Sequence, residues 1–476
     1  MNVLFAATEM APFLKTGGLG DVIGALPMAL RERGHSVSVV VPLFRGLRET
    51  MPELALSKLE LRVPWDGGVL AGRVWMGTGP GGVRVFALER DEFFDRRGLY
   101  GGAQGDYIDN ARRFGWFSRA VVELVRYIDP WPEILHLNDW QTGLAAAWVE
   151  ELGLPVRTVF TIHNLAYQGV FPEKEREPLG LPLRWFEPDG VEFFGQLNFL
   201  KGGVVYADEI TTVSPTYAQE IQTSQYGCGL DGVLRSRVKN LTGILNGIDV
   251  KLWDPWTNPH LKRGFSSKRV AGKKGCREHL EELCGWSKRP EQPIFACVSR
   301  LVSAKGFDLV MGILPRLVEA GGRLVVLGTG EPRFEEAFRR WGQRHPASVS
   351  AQIMFSEDWA QRIEAGADFF LMPSEMEPCG LNQMYSQRYG TVPIVHGVGG
   401  LVDSVQPWNE ERGEGTGFVF KIFQTEALWQ EIERAFSVFA KPKRMAILRK
   451  NGMEQDFSWE RRVTEYEAVY ARALAA

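Results

Sequence analysis

The sequence predicts an α/β protein in which two doubly wound halves follow one another along the chain. Three observations carry that expectation. Short apolar runs that suit buried strands alternate with amphipathic stretches of helical period. Several of those runs turn polar at their carboxyl ends, where a parallel sheet builds its sites. At 476 residues the chain is about three times the roughly 150 residues of a typical domain, so more than one compact unit is expected.

Residues 3–7 read as a buried first strand, residues 21–33 as an amphipathic helix closed by Gly34, and the β-branched run 36–41 as the next strand, which together make a βαβ unit. Further strands are expected at 84–88, 134–137, 158–162, 209–213 and 241–245. After Asn246-Gly247-Ile248-Asp249, residues 253–267 carry prolines and aromatics with no period, which makes them the linker candidate. A basic helical pattern from Gly272 then leads into a second series. It places strands at 294–298, 323–327, 351–355, 369–372 and 392–395, with helices at 307–319, 334–344, 359–365 and 381–389. Helices over 425–439, 445–453 and 459–474 close the chain. The expected division is therefore 1–248, 249–456 and a terminal helix within 457–476, free to pack back on the first half.

Composition narrows the function. A hydrophobic fraction of 45% and a charged fraction of 24% belong to a globular protein and exclude disorder as the main theme. Fifty-five Lys plus Arg against 58 Asp plus Glu leave a net charge of -3, which points to neither nucleic acid nor an anionic membrane. Any bound anion must be met by a few placed residues. The start shows no basic leader and no run approaches the 18 or so apolar residues of a membrane span, so a cytoplasmic protein is expected. Cys228, Cys276, Cys284, Cys297 and Cys379 are scattered without a C-x-x-C pair, and the seven histidines form no metal-ligand spacing. No metal site and no cofactor is expected.

The 52 glycines, a surplus, cluster in turns. Lys15-Thr16-Gly17-Gly18-Leu19-Gly20-Asp21 lies between the first strand and first helix. It suits a diphosphate approached by backbone N–H groups at a helix N-terminus, with Lys15 as a point charge, or else a tight loop with a solvated lysine. A dinucleotide fingerprint fits poorly, because the glycines follow a long loop and the second strand ends in Pro42-Leu43-Phe44 with no acid for a ribose. Arg300 and Lys305 lie beyond the strand 294–298, where two cations suit a leaving diphosphate or a surface salt bridge. Gly397-Val398-Gly399-Gly400 is a further anion-friendly turn. Asp139, His163 and Asn164 follow strands that turn polar, as in sugar sites, or serve as caps and buried hydrogen bonds; His136 reads as a core histidine. Glu377 caps a helix or accepts hydrogen bonds from a sugar, and Cys379 reads better as a small packed residue than as a nucleophile.

Taken together, six segments resemble the bacterial glycogen synthase and plant starch synthase family, in the family's order and over nearly the whole chain. They are Lys15 through Val22, His163 through Gly169, Thr212 through Ala218, Asn246 through Asp249, Arg300 through Gly306, and Glu377 through Leu381. The resemblance implies a GT-B architecture, two Rossmann-like domains facing across a deep cleft. It also implies transfer of glucose from ADP-glucose to the nonreducing 4-hydroxyl of an α-1,4-glucan with retention, releasing ADP. By motif, Glu377, His163, Asp139, Arg300 and Lys305 form the catalytic set. Lys15, Gly17, Gly18, Asp21, Asn164, Asn246, Phe355, Cys379, Gly380 and Leu381 form the substrate-binding set, with Phe355 at the position of an adenine-stacking aromatic. The family is thought to use front-face attack within an ion pair, the leaving phosphate taking the acceptor proton, rather than the covalent carboxylate that retention usually suggests. The chain departs from many relatives at Asn382, where Thr is common, and at Gln141, where His is common; Tyr385 occupies the position of a second Glu in other retaining enzymes of this architecture.

Overall fold

A computed structural model describes residues 1–102 and 105–476. The chain divides into two compact units, one formed by Met1–Gly247 with Trp459–Ala476 and the other by Ile248–Ser458.

Apart from a two-residue pair at Gly101–Gly102 and Gly105–Asp106, the strands of the first unit are, in chain order, β1 (Asn2–Ala6), β2 (Ser36–Pro42), β3 (Ala55–Trp65), β4 (Gly68–Thr78), β5 (Arg84–Glu89), β6 (Ile134–Asn138), β7 (Arg157–Ile162), β8 (Val170–Pro172), β9 (Glu192–Phe193), β10 (Gln196–Asn198), β11 (Glu209–Thr212) and β12 (Leu241–Gly243). Nine form one sheet in the order β12-β11-β7-β6-β1-β2-β5-β4-β3, while β8, β10 and β9 form a small antiparallel sheet. Val3, Leu4, Phe5 and Ala6 of β1 are all buried, as suits a strand covered on both faces. Because β7, β6 and β1 are parallel neighbours, the segments that follow them emerge at one sheet edge. Those segments carry Lys15, Asp139 and His163.

The helix after β1 spans Gly18–Glu32 and buries Leu19, Val22, Ile23, Leu26 and Leu30 at helical spacing. It starts three residues before the expected position, so Gly18 and Gly20 lie in its first turn. Several elements are absent from the sequence expectation, two of them long. One is the β3–β4 hairpin, whose turn is Asp66-Gly67 with φ 46° and 71°, the two positive values a tight hairpin turn demands. The other is the helix Asn110–Val125, buried along nearly its whole length. His136 is a satisfied core residue: its Nδ1 lies 2.8 Å from the Tyr470 hydroxyl and its Nε2 2.6 Å from Thr161 Oγ1.

Tyr470 belongs to the last helix, Trp459–Ala475, which packs on the first unit against the Gly18–Glu32 helix, β7 and β11. Glu467, at the middle of the helix, pairs with Arg33 and His35, and Arg472, in its last turn, with Glu209.

The second unit contains β13 (Ile294–Val298), β14 (Arg323–Leu327), β15 (Val349–Gln352), β16 (Phe369–Met372), β17 (Val392–His396) and β18 (Phe418–Phe420). They form an all-parallel sheet ordered β15-β14-β13-β16-β17-β18. The order reverses between β13 and β16, which is where an open α/β sheet leaves a crevice at its carboxyl edge. The segments after these two strands hold Arg300 and Lys305, and Glu377 through Leu381.

Two sequence expectations need correction here. Residues 253–267 are not a free linker: Trp253 stacks on Tyr385 with centroids 3.6 Å apart, Asn258 donates to the Tyr389 hydroxyl at 2.7 Å, and Phe265 is fully buried. A segment without period still packs when it supplies aromatics to a groove. The strand expected over 351–355 ends at Gln352, where Met354 N–H turns back to the Gln352 carbonyl, so Phe355 lies outside the sheet with 81% of its surface exposed.

Candidate active site

In the first unit, the loop after β1 is organised by a residue the sequence reading passed over. Glu9 is buried, and its carboxylate accepts the Thr16 N–H at 2.6 Å, the Thr16 hydroxyl at 2.6 Å, the Gly17 N–H at 3.2 Å and the Tyr100 hydroxyl at 2.8 Å. Charge-assisted bonds of this kind are the stronger ones, so a four-donor carboxylate fixes the loop's path into the helix. Two of the N–H groups expected to face a phosphate are thereby taken up internally. Lys15 pairs with Asp21 at 2.7 Å, both about a third exposed, while Gly17 and Gly18 are exposed. The only sequence signal for Glu9 was an acid just past the carboxyl end of a central strand.

Asp139 follows β6 with φ 57°, the left-handed region that a side-chain-bearing residue rarely occupies. Its Oδ1 accepts the His163 N–H at 2.7 Å, and the Asn164 N–H also bonds to it. Burial pushes the Asp139 carboxyl up to about 7; those two N–H groups pull against the rise and the nearby Glu9 charge adds to it. His163 is pushed down to about 3 by burial, so its imidazole is neutral. Its Nε2 lies 2.9 Å from Asn138 Oδ1, and the Asn138 amide nitrogen donates to the Ala6 and His136 carbonyls, which fixes that oxygen as an acceptor. Nε2 therefore carries the proton and Nδ1 keeps its lone pair for a hydroxyl donor. Asn164 Oδ1 accepts the Ala166 N–H, shaping the loop. Asn246 is buried at 4% exposure, and among the described residues its Oδ1 has no hydrogen-bond partner. A buried acceptor left unmatched costs about 1–3 kcal/mol and marks a place where a ligand or water supplies the donor.

In the second unit, Lys305 Nζ lies 2.6 Å from Glu377 Oε2, which also accepts the Ser374 hydroxyl at 2.9 Å. His396 holds the Ser374 carbonyl at 2.8 Å, continuing the support to β17. Glu377 is thus no helix cap. Arg300 is exposed, and its loop is anchored where the Leu301 N–H meets the Thr329 carbonyl and Glu331 accepts the Ser303 N–H. Asn382 Nδ2 donates to the Val298 carbonyl at 2.6 Å, tying the start of the Asn382–Arg388 helix to the end of β13.

The glycine turn at 399–400 has a packing role. A Cβ on Gly399 would come within 2.0 Å of the Glu377 carbonyl oxygen and one on Gly400 within 2.1 Å of that of Cys379, while the Gly400 N–H bonds to the Glu377 carbonyl at 3.1 Å. Cys379 is buried, Gly380 has φ 71°, and Leu381 is half-buried beside it.

The fold thus brings Asp139, His163 and Asn164 into one hydrogen-bonded group, Lys15 and Asp21 into a pair, and Lys305 and Glu377 into another. Sequence reasoning missed Glu9, Tyr100, Asn138, Ser374 and His396. Among the described residues, no group of three or more His, Cys, Asp or Glu is placed to hold a metal ion.

Comparison with known proteins gives the arrangement a family. Residues 2–236 match the starch synthase catalytic domain, and residues 285–454 match glycosyl transferases group 1. The glycogen synthase of Anaeromyxobacter dehalogenans (strain 2CP-C) is 47% identical over 483 residues, covering 100% of both chains. That of Myxococcus xanthus (strain DK1622) is 45% identical over 484 residues with the same coverage. The catalytic domain of Starch Synthase IV from Arabidopsis thaliana, solved with ADP and acarbose, superposes with a TM-score of 0.91 at 34% identity, covering 100% of this chain and 99% of that one. With its two Rossmann-like units and full-length relatives, the chain belongs to the glycogen synthase and starch synthase family of GT-B glycosyltransferases.

Proposed function

We propose that the protein transfers glucose from ADP-glucose to the nonreducing 4-hydroxyl of an α-1,4-glucan, with retention of configuration. The observation that carries this reading is full-length identity of 45–47% to glycogen synthases; within each unit, cations and hydroxyl-binding groups at the carboxyl edge of the sheet support it. Lys15, Arg300 and Lys305 would neutralise the diphosphate as the glycosidic bond to it breaks, the electrostatic term that dominates such reactions. His163, Asn246 and the Glu377–Gly380 turn would receive the glucosyl hydroxyls, with Nδ1 of neutral His163 accepting one of them.

The carboxylates support front-face attack. Glu377 has one oxygen committed to Lys305 and Ser374, and Asp139, pushed up to about 7, accepts two backbone N–H groups. The raised Asp139 carboxyl and the ion-paired Glu377 are both weakened as the nucleophile that a covalent glycosyl intermediate needs. The acceptor proton then goes to the leaving phosphate oxygen as the new glycosidic bond forms. Phe355, with its ring exposed, would stack on the base and does not distinguish adenine from uracil.

The test is ADP release and chain lengthening with ADP-glucose and glycogen, run beside UDP-glucose. Transfer from ADP-glucose at about tenfold or greater preference is expected, and no ADP release above buffer would refute the reading. Lys15→Ala should weaken ADP binding; unchanged ADP affinity would remove Lys15 from the diphosphate site.

A further inference from the structure

One surface of the first unit carries aromatic rings that its core does not use. β9 and β10 are joined by Phe194-Gly195, with φ of 50° and 78°. A tight turn with both values positive ordinarily places Asn, Asp or Gly first. A phenylalanine there is an outlier, and strained positions of this kind gather at functional surfaces. Its ring is 80% exposed, so burial in the core does not account for it.

The ring is nevertheless held in place. Phe193 meets Phe194 edge to face, centroids 4.7 Å apart and planes at 77°. Both rings rest on Gly229, where a Cβ would come within 3.0 Å of Phe193 and 3.4 Å of Phe194. Behind them buried Gln168 donates to the Cys228 carbonyl at 3.0 Å and accepts from Asn198 Nδ2 at 2.6 Å. The Phe194 turn, the Cys228–Gly229 turn and the loop running on from His163 are therefore one hydrogen-bonded frame. The same loop carries Tyr167, 55% exposed.

The chemistry of this surface selects its ligand. Across residues 164–170, 191–198 and 223–230 the one charged side chain is Glu192, whose carboxylate accepts the Gly195 N–H at 2.7 Å; none is basic, and the polar residues are amides and hydroxyls such as Asn164, Gln168, Gln196, Ser224 and Gln225. A nucleotide or phosphate would require cations. Rigid aromatic faces among neutral amides and hydroxyls suit pyranose rings, whose C–H faces stack and whose edges exchange hydrogen bonds. We infer that Phe194, with Tyr167, forms a stacking subsite for glucose units of the acceptor glucan beyond its reacting end. The inference rests on the glucan-transfer reading above.

Phe194→Gly tests it without endangering the fold, because glycine suits the turn and relieves the positive φ. Maltoheptaose binding is measured calorimetrically on the full chain without donor, and KM for glycogen and for ADP-glucose is measured separately. The variant should bind maltoheptaose about tenfold more weakly, equivalent to about 1.4 kcal/mol, and raise KM for glycogen about tenfold relative to KM for ADP-glucose. Phe194→Trp should retain tight binding, and Ile422→Ala, an exposed apolar residue of the second unit, should change neither quantity. Unchanged maltoheptaose affinity in Phe194→Gly overturns the inference. So does a change in oligomeric state by light scattering with glucan affinity intact, which would assign the tip to a second copy of the chain. If the parent releases no ADP, the transfer reading fails; if it transfers while the variant binds glucan as the parent does, the subsite alone fails.

Discussion

Removing the Lys305 charge should cost more stability than removing its partner's, and the reason lies in the unequal burial of the pair. The Lys305 side chain is 24% exposed and that of Glu377 is 7% exposed, with 2.6 Å between Nζ and Oε2. Lys305→Met keeps the stem and leaves the carboxylate with the Ser374 hydroxyl as its remaining donor on that oxygen. Stripping one member from a buried pair typically costs 3–5 kcal/mol, and the partial access at Lys305 places this case at about 3 kcal/mol. Glu377→Gln leaves the charge on the partner that can turn to water, and glutamine still accepts from Ser374. About 1 kcal/mol is expected. The double variant carries neither charge and should also lose about 1 kcal/mol, so the coupling is about 3 kcal/mol. For a unit of roughly 200 residues, calorimetry should show the second unit's transition falling by about 6–12 °C in Lys305→Met and about 2–4 °C in Glu377→Gln. Equal losses in the single variants, or simple additivity in the double one, would refute the assignment of the penalty to a stranded Glu377 carboxylate.

Three further outcomes follow from the site. Asp139, raised to about 7 from an ordinary value near 3.9, favours the folded state fully below about 4 and loses that contribution, up to about 4 kcal/mol, as pH rises through 7. Urea midpoints of the parent should therefore fall between pH 5 and 8 relative to Asp139→Asn, and parallel curves would show that this carboxyl does not titrate there. Glu9→Gln turns an amide N–H₂ toward donors that now meet a carboxylate, at a cost of about 1–3 kcal/mol. Its KM for ADP-glucose should rise about tenfold, with proteolysis appearing near residues 12–18; an unchanged KM would separate that loop from donor binding. Gly400→Ala forces the Cys379 carbonyl aside, and a shift of about 1 Å in the Glu377–Cys379 segment should lower kcat about a hundredfold while the second unit still folds. Wild-type kcat would mean that the segment's position is not critical.

The sheets were legible because strands buried on both faces leave continuous apolar runs, and β1, β2, β13 and β14 fall within a residue or two of where those runs lie. The β3–β4 hairpin left a weaker mark. Its strands alternate buried and exposed residues and include Pro64, so the Asp66-Gly67 turn was the available signal. The packing of residues 253–267 was invisible because it depends on Tyr385 and Tyr389, more than a hundred positions away. Site residues at strand ends could be picked out by type and place. Glu9 could not, because what sets it apart from other acids is the convergence of Thr16, Gly17 and Tyr100 upon it. The raised Asp139 carboxyl and the single tautomer of His163 likewise arise from three-dimensional burial and from Asn138, and no local pattern encodes them.

The placement of the last helix sets an order of assembly during synthesis. Residues that cover His136 and pair with Arg33, His35 and Glu209 are translated only after the whole of Ile248–Ser458. Domains emerging from the ribosome generally fold in turn from the amino end. Here the first unit waits, with the face over β7 and β11 uncovered, until the second has been made. The nascent chain therefore exposes apolar surface throughout synthesis of the second unit, and a ribosome stalled anywhere there holds a first unit that cannot close.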